Sequence, residues 1–102
     1  MQIIEKLSDM IEEEMNDAEK YIRCAMKWKE EKPALAQTFA RLSNEEMGHM
    51  NLLHDQVTAI ITEYRKEKGE PPEKMLAIYD YLHKKHIDRA NEIRIMQALF
   101  KQ

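Results

Sequence analysis

The sequence predicts an all-α protein of three long antiparallel helices, on three observations. Apolar residues recur at three-, four- and seven-residue spacing along most of the 102 residues. The three prolines fall at two places only, Pro33 and the Pro71–Pro72 pair, and divide the pattern into three stretches. Eight Met alongside scarce Val and Thr make a composition that favours helix over strand.

The first helix is expected from about Gln2 to Glu30. Ile4, Ile11, Ala18 and Ala25 form one row at seven-residue spacing, and Leu7, Tyr21 and Trp28 form a second row offset by three. Two such rows are the buried stripe of a packed helix. The stretch "KEEKPAL" breaks it, and Pro33 suits the first turn of a new helix. The second helix is expected from about Pro33 to Glu67. Leu35 and Leu42 form one row, Phe39, Leu53 and Ile60 another, and Val57, Ile61 and Tyr64 continue the face. It ends in "KEKGEPPEK", where Gly69 can take a left-handed backbone and the two prolines stop propagation. The third helix follows to about Phe100 and should bury Met75, Tyr79, Leu82, Ile93, Met96 and Phe100. At 1.5 Å per residue such helices are roughly 40–50 Å long, and short connections make neighbours antiparallel. Residues 1–102 read as one domain, with no repeat, low-complexity segment or strand signal.

Composition excludes several classes of function. The net charge of −3 arises from 16 basic and 19 acidic residues that are interspersed along the chain, with no basic stripe to engage nucleic acid. No run of eighteen apolar residues spans a membrane, and the charged start "MQIIEKLSDM" is no signal peptide. The expectation is a soluble, cytoplasmic protein. Cys24, the single cysteine, has no intrachain disulfide partner and reads as a small buried hydrophobe.

Three residues interrupt the apolar rows. Glu14 stands between Leu7 and Tyr21, Glu46 between Phe39 and Leu53, and His49 follows Leu35 and Leu42. An uncompensated carboxylate in an apolar core costs several kcal/mol, so such a residue shifts its pKa, finds a partner or binds a cation. The first turn centres near residue 31. Counting outward from it, Glu14, Glu46 and His49 fall at nearly the same height on facing sides of an antiparallel pair. Glu46 and His49, three apart, share one helix face. Two carboxylates and an imidazole at one height are donors suited to Fe, Mn or Zn.

The stretches "EMNDAEKY" (Glu14, Tyr21) and "EEMGH" (Glu46, His49), with Glu46 thirty-two residues after Glu14, resemble the first half of the ferritin-like superfamily, in particular rubrerythrin-type proteins. The likeness covers roughly residues 5–65. It implies iron ligation by Glu14, Glu46 and His49, with Glu46 bridging two ions, and Tyr21 as a residue supporting the site. It implies oxidation of Fe(II) by dioxygen or peroxide, in iron handling or oxidative-stress defence.

The chain departs from that family in having three helices rather than four and no second Glu-x-x-His. Two remedies are open. Two chains pairing their first hairpins about a twofold axis, as in dimeric encapsulated ferritins, would supply two copies each of Glu14, Glu46 and His49, completing a four-helix di-iron bundle. Alternatively Glu92, expected at the height of Glu46 and His49, joins them in a single-chain site. His83 and His86, expected near the height of His54 and Val57, are further candidate metal ligands, although at that position they read first as surface or boundary residues. The competing reading is a non-catalytic helical interaction protein in which the three polar residues form a buried, hydrogen-bonded layer that fixes helix register. Gly48, beside the site, either allows close helix approach or marks a degenerate hairpin.

Overall fold

A computed structural model describes all residues 1–102 and consists of three α-helices in sequence: α1 (Gln2–Trp28), α2 (Pro33–Lys68) and α3 (Glu73–Lys101). The expected class and order hold, with α1 ending two residues earlier than its pattern suggests. Pro33 opens α2, where its missing N–H costs no helical hydrogen bond. Gly69, at φ +80°, closes α2 by donating its N–H to the Arg65 carbonyl at 3.1 Å. Arg65, Lys66 and Lys68 in the last turn of α2, and Glu73 in the first turn of α3, suit the helix dipoles. No helix is long and apolar enough to cross a membrane.

The molecule is a rod of 56 × 18 × 17 Å. Thirty-six residues at 1.5 Å each make α2 about 54 Å long, so it runs the full length. α1 packs antiparallel along α2, and α3 rests chiefly on α1. The central core joins Ile11, Met15 and Ala18 of α1, Met47 and Met50 of α2, and Ala90 and Ile93 of α3. A second cluster, Ile22, Ala25, Ala36 and Phe100, sits beside the α1–α2 turn, where Lys29 Nζ donates to the Phe100 carbonyl at 2.7 Å. Each large side chain so buried contributes about 1.5–3 kcal/mol. Between the clusters the Ser43 hydroxyl donates to the Ala18 carbonyl at 2.7 Å and accepts from Gln97 Nε2 at 2.9 Å, linking all three helices.

Burial differs from the expected rows in an instructive way. On α1 the row Ile4, Ile11, Ala18, Ala25 is buried throughout, whereas Tyr21 and Trp28 of the companion row are half-buried. On α2 the buried residues are Ala36, Ser43, Met47 and Met50; Leu35 is exposed, and Leu42, Phe39, Leu53, Val57, Ile60, Ile61 and Tyr64 are half-buried. Small and flexible side chains line the close α1–α2 seam, and the bulkier ones are displaced to its flanks. On α3 Ile93 and Phe100 are buried, Met75, Tyr79, Leu82 and Met96 are half-buried, and His86, expected at a boundary, is buried. Cys24 is half-buried rather than buried.

α3 covers one side of the hairpin only, where Lys85 and Arg89 reach Glu12 and Glu19 of α1 at 3.3 and 3.7 Å. The opposite side is uncovered. It exposes Ile3 and Met10 of α1 and Leu35 of α2, with half-buried Tyr21, Trp28, Leu42, Leu53 and Ile60 along it. Gly48 has no neighbour within 4 Å of the position a Cβ would take, so no other helix of this chain approaches closely there.

Candidate metal centre

Glu14 lies halfway along α1 on the flank facing away from α3, and Glu46 and His49 lie on the adjoining flank of α2. The flanks meet because all three residues and their rows follow the seven-residue repeat that builds the hairpin. One ligand atom from each of the three side chains lies within 4.8 Å of the others. His49 Nδ1 is 3.5 Å from Glu14 Oε2 and 3.6 Å from Glu46 Oε2. Donors about 2.1 Å from one ion stand roughly 3.0–3.6 Å apart for ligand angles near 90–120°. The imidazole and each carboxylate are therefore already spaced as co-ligands.

The group is not a sealed interior layer. The Glu14 and Glu46 side chains are 27% and 18% exposed, and His49 is 56% exposed. The carboxylates are pulled in against the seam while the imidazole closes the group from the uncovered side. The reason is the one that displaces the bulky apolar residues: the close α1–α2 contact is made by Ala18, Ser43 and Met47, so the rows bearing the polar residues fall on the hairpin's flank.

The electrostatics of the group favour a proton shared between the two carboxyls. Glu14 Oε2 is inaccessible to water yet makes no hydrogen bond. The Glu46 carboxyl, able to share a proton with Glu14, is the main cause that holds the Glu14 pKa above the ordinary carboxylate range. Burial and the Glu46 charge push in the same direction, and His49 opposes them. A cation among these donors would replace the proton and give the stranded oxygen a partner.

The other sequence candidates lie elsewhere. Tyr21 stacks on Phe39 with ring centroids 6.3 Å apart. It is seven residues, about 10 Å along the axis, from Glu14. Glu92 is exposed on α3 and is not one of the three residues whose donors converge. His83 and His86 do fall at the height of His54, as the helix lengths require, and His54 Nε2 is 3.0 Å from His83 Nδ1. The Ser43–Gln97 link has no signature in the sequence, since a serine in an alanine-like position carries no signal until its partner on α3 is known. No family model, curated protein or solved structure matches the chain.

Proposed function

We propose that the chain is a ferritin-like, non-haem iron protein that pairs with a second copy of itself and oxidises Fe(II) with dioxygen or peroxide. The supporting observation is the convergence of two carboxylates and an imidazole on the uncovered flank of a helical hairpin. Three donors from one chain leave an ion open on the solvent side. A second hairpin laid against the same flank about a twofold axis would bring three more, making the two glutamates from separate helices and paired Glu-x-x-His of a di-metal bundle. The exposed Ile3, Met10 and Leu35 give such a pairing an apolar border.

The donor set fits iron: carboxylates favour the higher charge of Fe(III), imidazole suits Fe(II), and the stranded Glu14 oxygen gains a partner on loading. Mn and Zn would be accepted by the same donors. Iron is the substrate: two Fe(II) ions give one electron each to dioxygen, which takes up two protons and leaves as hydrogen peroxide. With hydrogen peroxide as oxidant, two electrons and two protons give two waters. In this chain Glu46 would bridge, Glu14 would hold one ion, and His49 would ligate through Nδ1, its exposed face free to meet the partner copy. The role would be iron handling or oxidative-stress defence, in the cytoplasm.

A non-catalytic interaction module is the second reading, supported by the same apolar border. The two part company on metal. Protein loaded anaerobically with Fe(II), then subjected to elemental analysis and size exclusion with light scattering, should hold two irons per dimer and lose them in Glu46→Ala. One metal per monomer would point to a single-chain site. Absence of metal above background would leave the interaction module.

A further inference from the structure

A cavity of about 230 Å³ opens between α2 and α3, closed at the back by Ile4, Ser8 and Ile11 of α1. His54 of α2 and His83 and His86 of α3 line it, with Asp80 as its one acidic residue. It is separate from the Glu14–Glu46–His49 group: it lies on the α3 side of the hairpin, whereas that group lies on the uncovered side.

We propose that this cavity holds a second transition-metal site, in which His54 Nε2 and His83 Nδ1 chelate one divalent cation of the Zn(II), Cu(II) or Ni(II) type. The two nitrogens are 3.0 Å apart and come from different helices, on rings stacked at 4.9 Å between centroids. Two imidazole nitrogens about 2.05 Å from one ion stand roughly 3.0 Å apart at a ligand angle near 95°. The same pair without metal is an N–H···N hydrogen bond, and metal capture then needs the bridging proton to move to the other nitrogen of its ring and the two rings to turn so that their lone pairs converge on the ion. The cavity supplies room for the remaining ligands, and Asp80, three residues before His83 on the same helix face, brings a negative charge to its wall.

A third imidazole stands in the wall of the cavity. His86, one turn beyond His83, has a side chain only 7% exposed, and its Nε2 makes no hydrogen bond, with the Glu12 carboxylate at 3.7 Å. A buried imidazole with an unmet nitrogen is costly in an apolar wall and useful beside a metal-bound water.

The test uses the 102-residue chain carrying Glu46→Ala, which disables the first site. Isothermal titration with Zn(II) should show one ion bound per chain, weakened at least tenfold by His83→Ala or His54→Ala and unchanged by His49→Ala. Long-range ¹H–¹⁵N spectra of the same protein should show Zn(II) shifting Nε2 of His54 and Nδ1 of His83; this readout needs no histidine substitution and so does not depend on the variants folding. Absence of Zn(II) binding in the Glu46→Ala protein, binding indifferent to His83→Ala, or a shift on the other ring nitrogens would overturn the proposal.

Discussion

Glu46→Gln should act with opposite signs on the metal-free and metal-loaded protein. Glu46 and Glu14 place carboxylate oxygens within 4.8 Å of each other, and both are partly shielded from water. Two unit charges at that separation repel by about 0.9 kcal/mol in water and about 3.5 kcal/mol at an effective dielectric constant of 20. Water reaches the group from the His49 side, so the lower end governs, and the expected relief is about 1 kcal/mol. For a chain of this size that corresponds to about 4–8 °C in melting temperature. The amide keeps the shape of the carboxyl and can hydrogen-bond Glu14. The pH profile carries the same signature. Because the Glu14 pKa is raised in the folded state, its contribution is fully present below the ordinary carboxylate range and is lost as pH rises through the raised value. The metal-free wild type should therefore lose stability across that window, and the Gln variant should lose less. With metal present at this site alone, in a His83→Ala background, the order reverses: a ligand at one hundred times its Kd adds about 2.7 kcal/mol to the chain that keeps Glu46 and little to the Gln variant. Thermal melts by circular dichroism, at fixed protein concentration with chelator or with Zn(II), between pH 4 and 8, decide it. A metal-free Gln variant less stable than wild type at pH 7, or one with an equal metal-induced rise, would refute the reasoning.

Three further expectations concern the scaffold. Ile93→Ala empties a fully buried position in the cluster shared by all three helices and should cost about 2–5 kcal/mol in urea denaturation. Burial holds the His86 pKa below its ordinary value, with His54 and Lys85 adding to the depression and Glu12 opposing it. Its contribution is present above the ordinary histidine value and lost as pH falls through the depressed one, so His86→Leu should flatten the acid side of the metal-free stability profile below about pH 6.5. Gly48→Ala meets no neighbour and should stabilise α2 by about 0.5–1 kcal/mol, read as a higher denaturation midpoint with unchanged slope.

How much of this was legible in the sequence follows from which quantities are local. Helix extents were readable because Pro33, Gly69 and Pro71–Pro72 act on the backbone where they stand. The meeting of Glu14, Glu46 and His49 was readable because helical rise is constant, so distance from the turn fixes height. Rotation about the helix axis was not readable. Leu35 and Leu42 looked like the inner face of α2, yet Ala36, Ser43 and Met47 occupy it, since the depth of the seam depends on both helices at once. That rotation moves the three donors from an interior layer to a flank. The inward turn of His86 depends likewise on where α3 crosses α1.

The hydroxyl of Ser43 bears on how well such a flank can keep its dimensions. Much of the seam between α1 and α2 is alanine and methionine, smooth or pliable side chains over which one helix could slide along another at modest cost. Glu46 is three residues after Ser43, and Glu14 four residues before the Ala18 carbonyl that Ser43 holds at 2.7 Å. The bond thus acts as a detent within about one turn of the carboxylates. A slip of a single turn, about 5.4 Å, would carry the two glutamates out of reach of a common ion while leaving the helices intact. The donor spacing, set first by the short α1–α2 turn, is thus also guarded by one small hydroxyl to which the chemistry itself assigns no part.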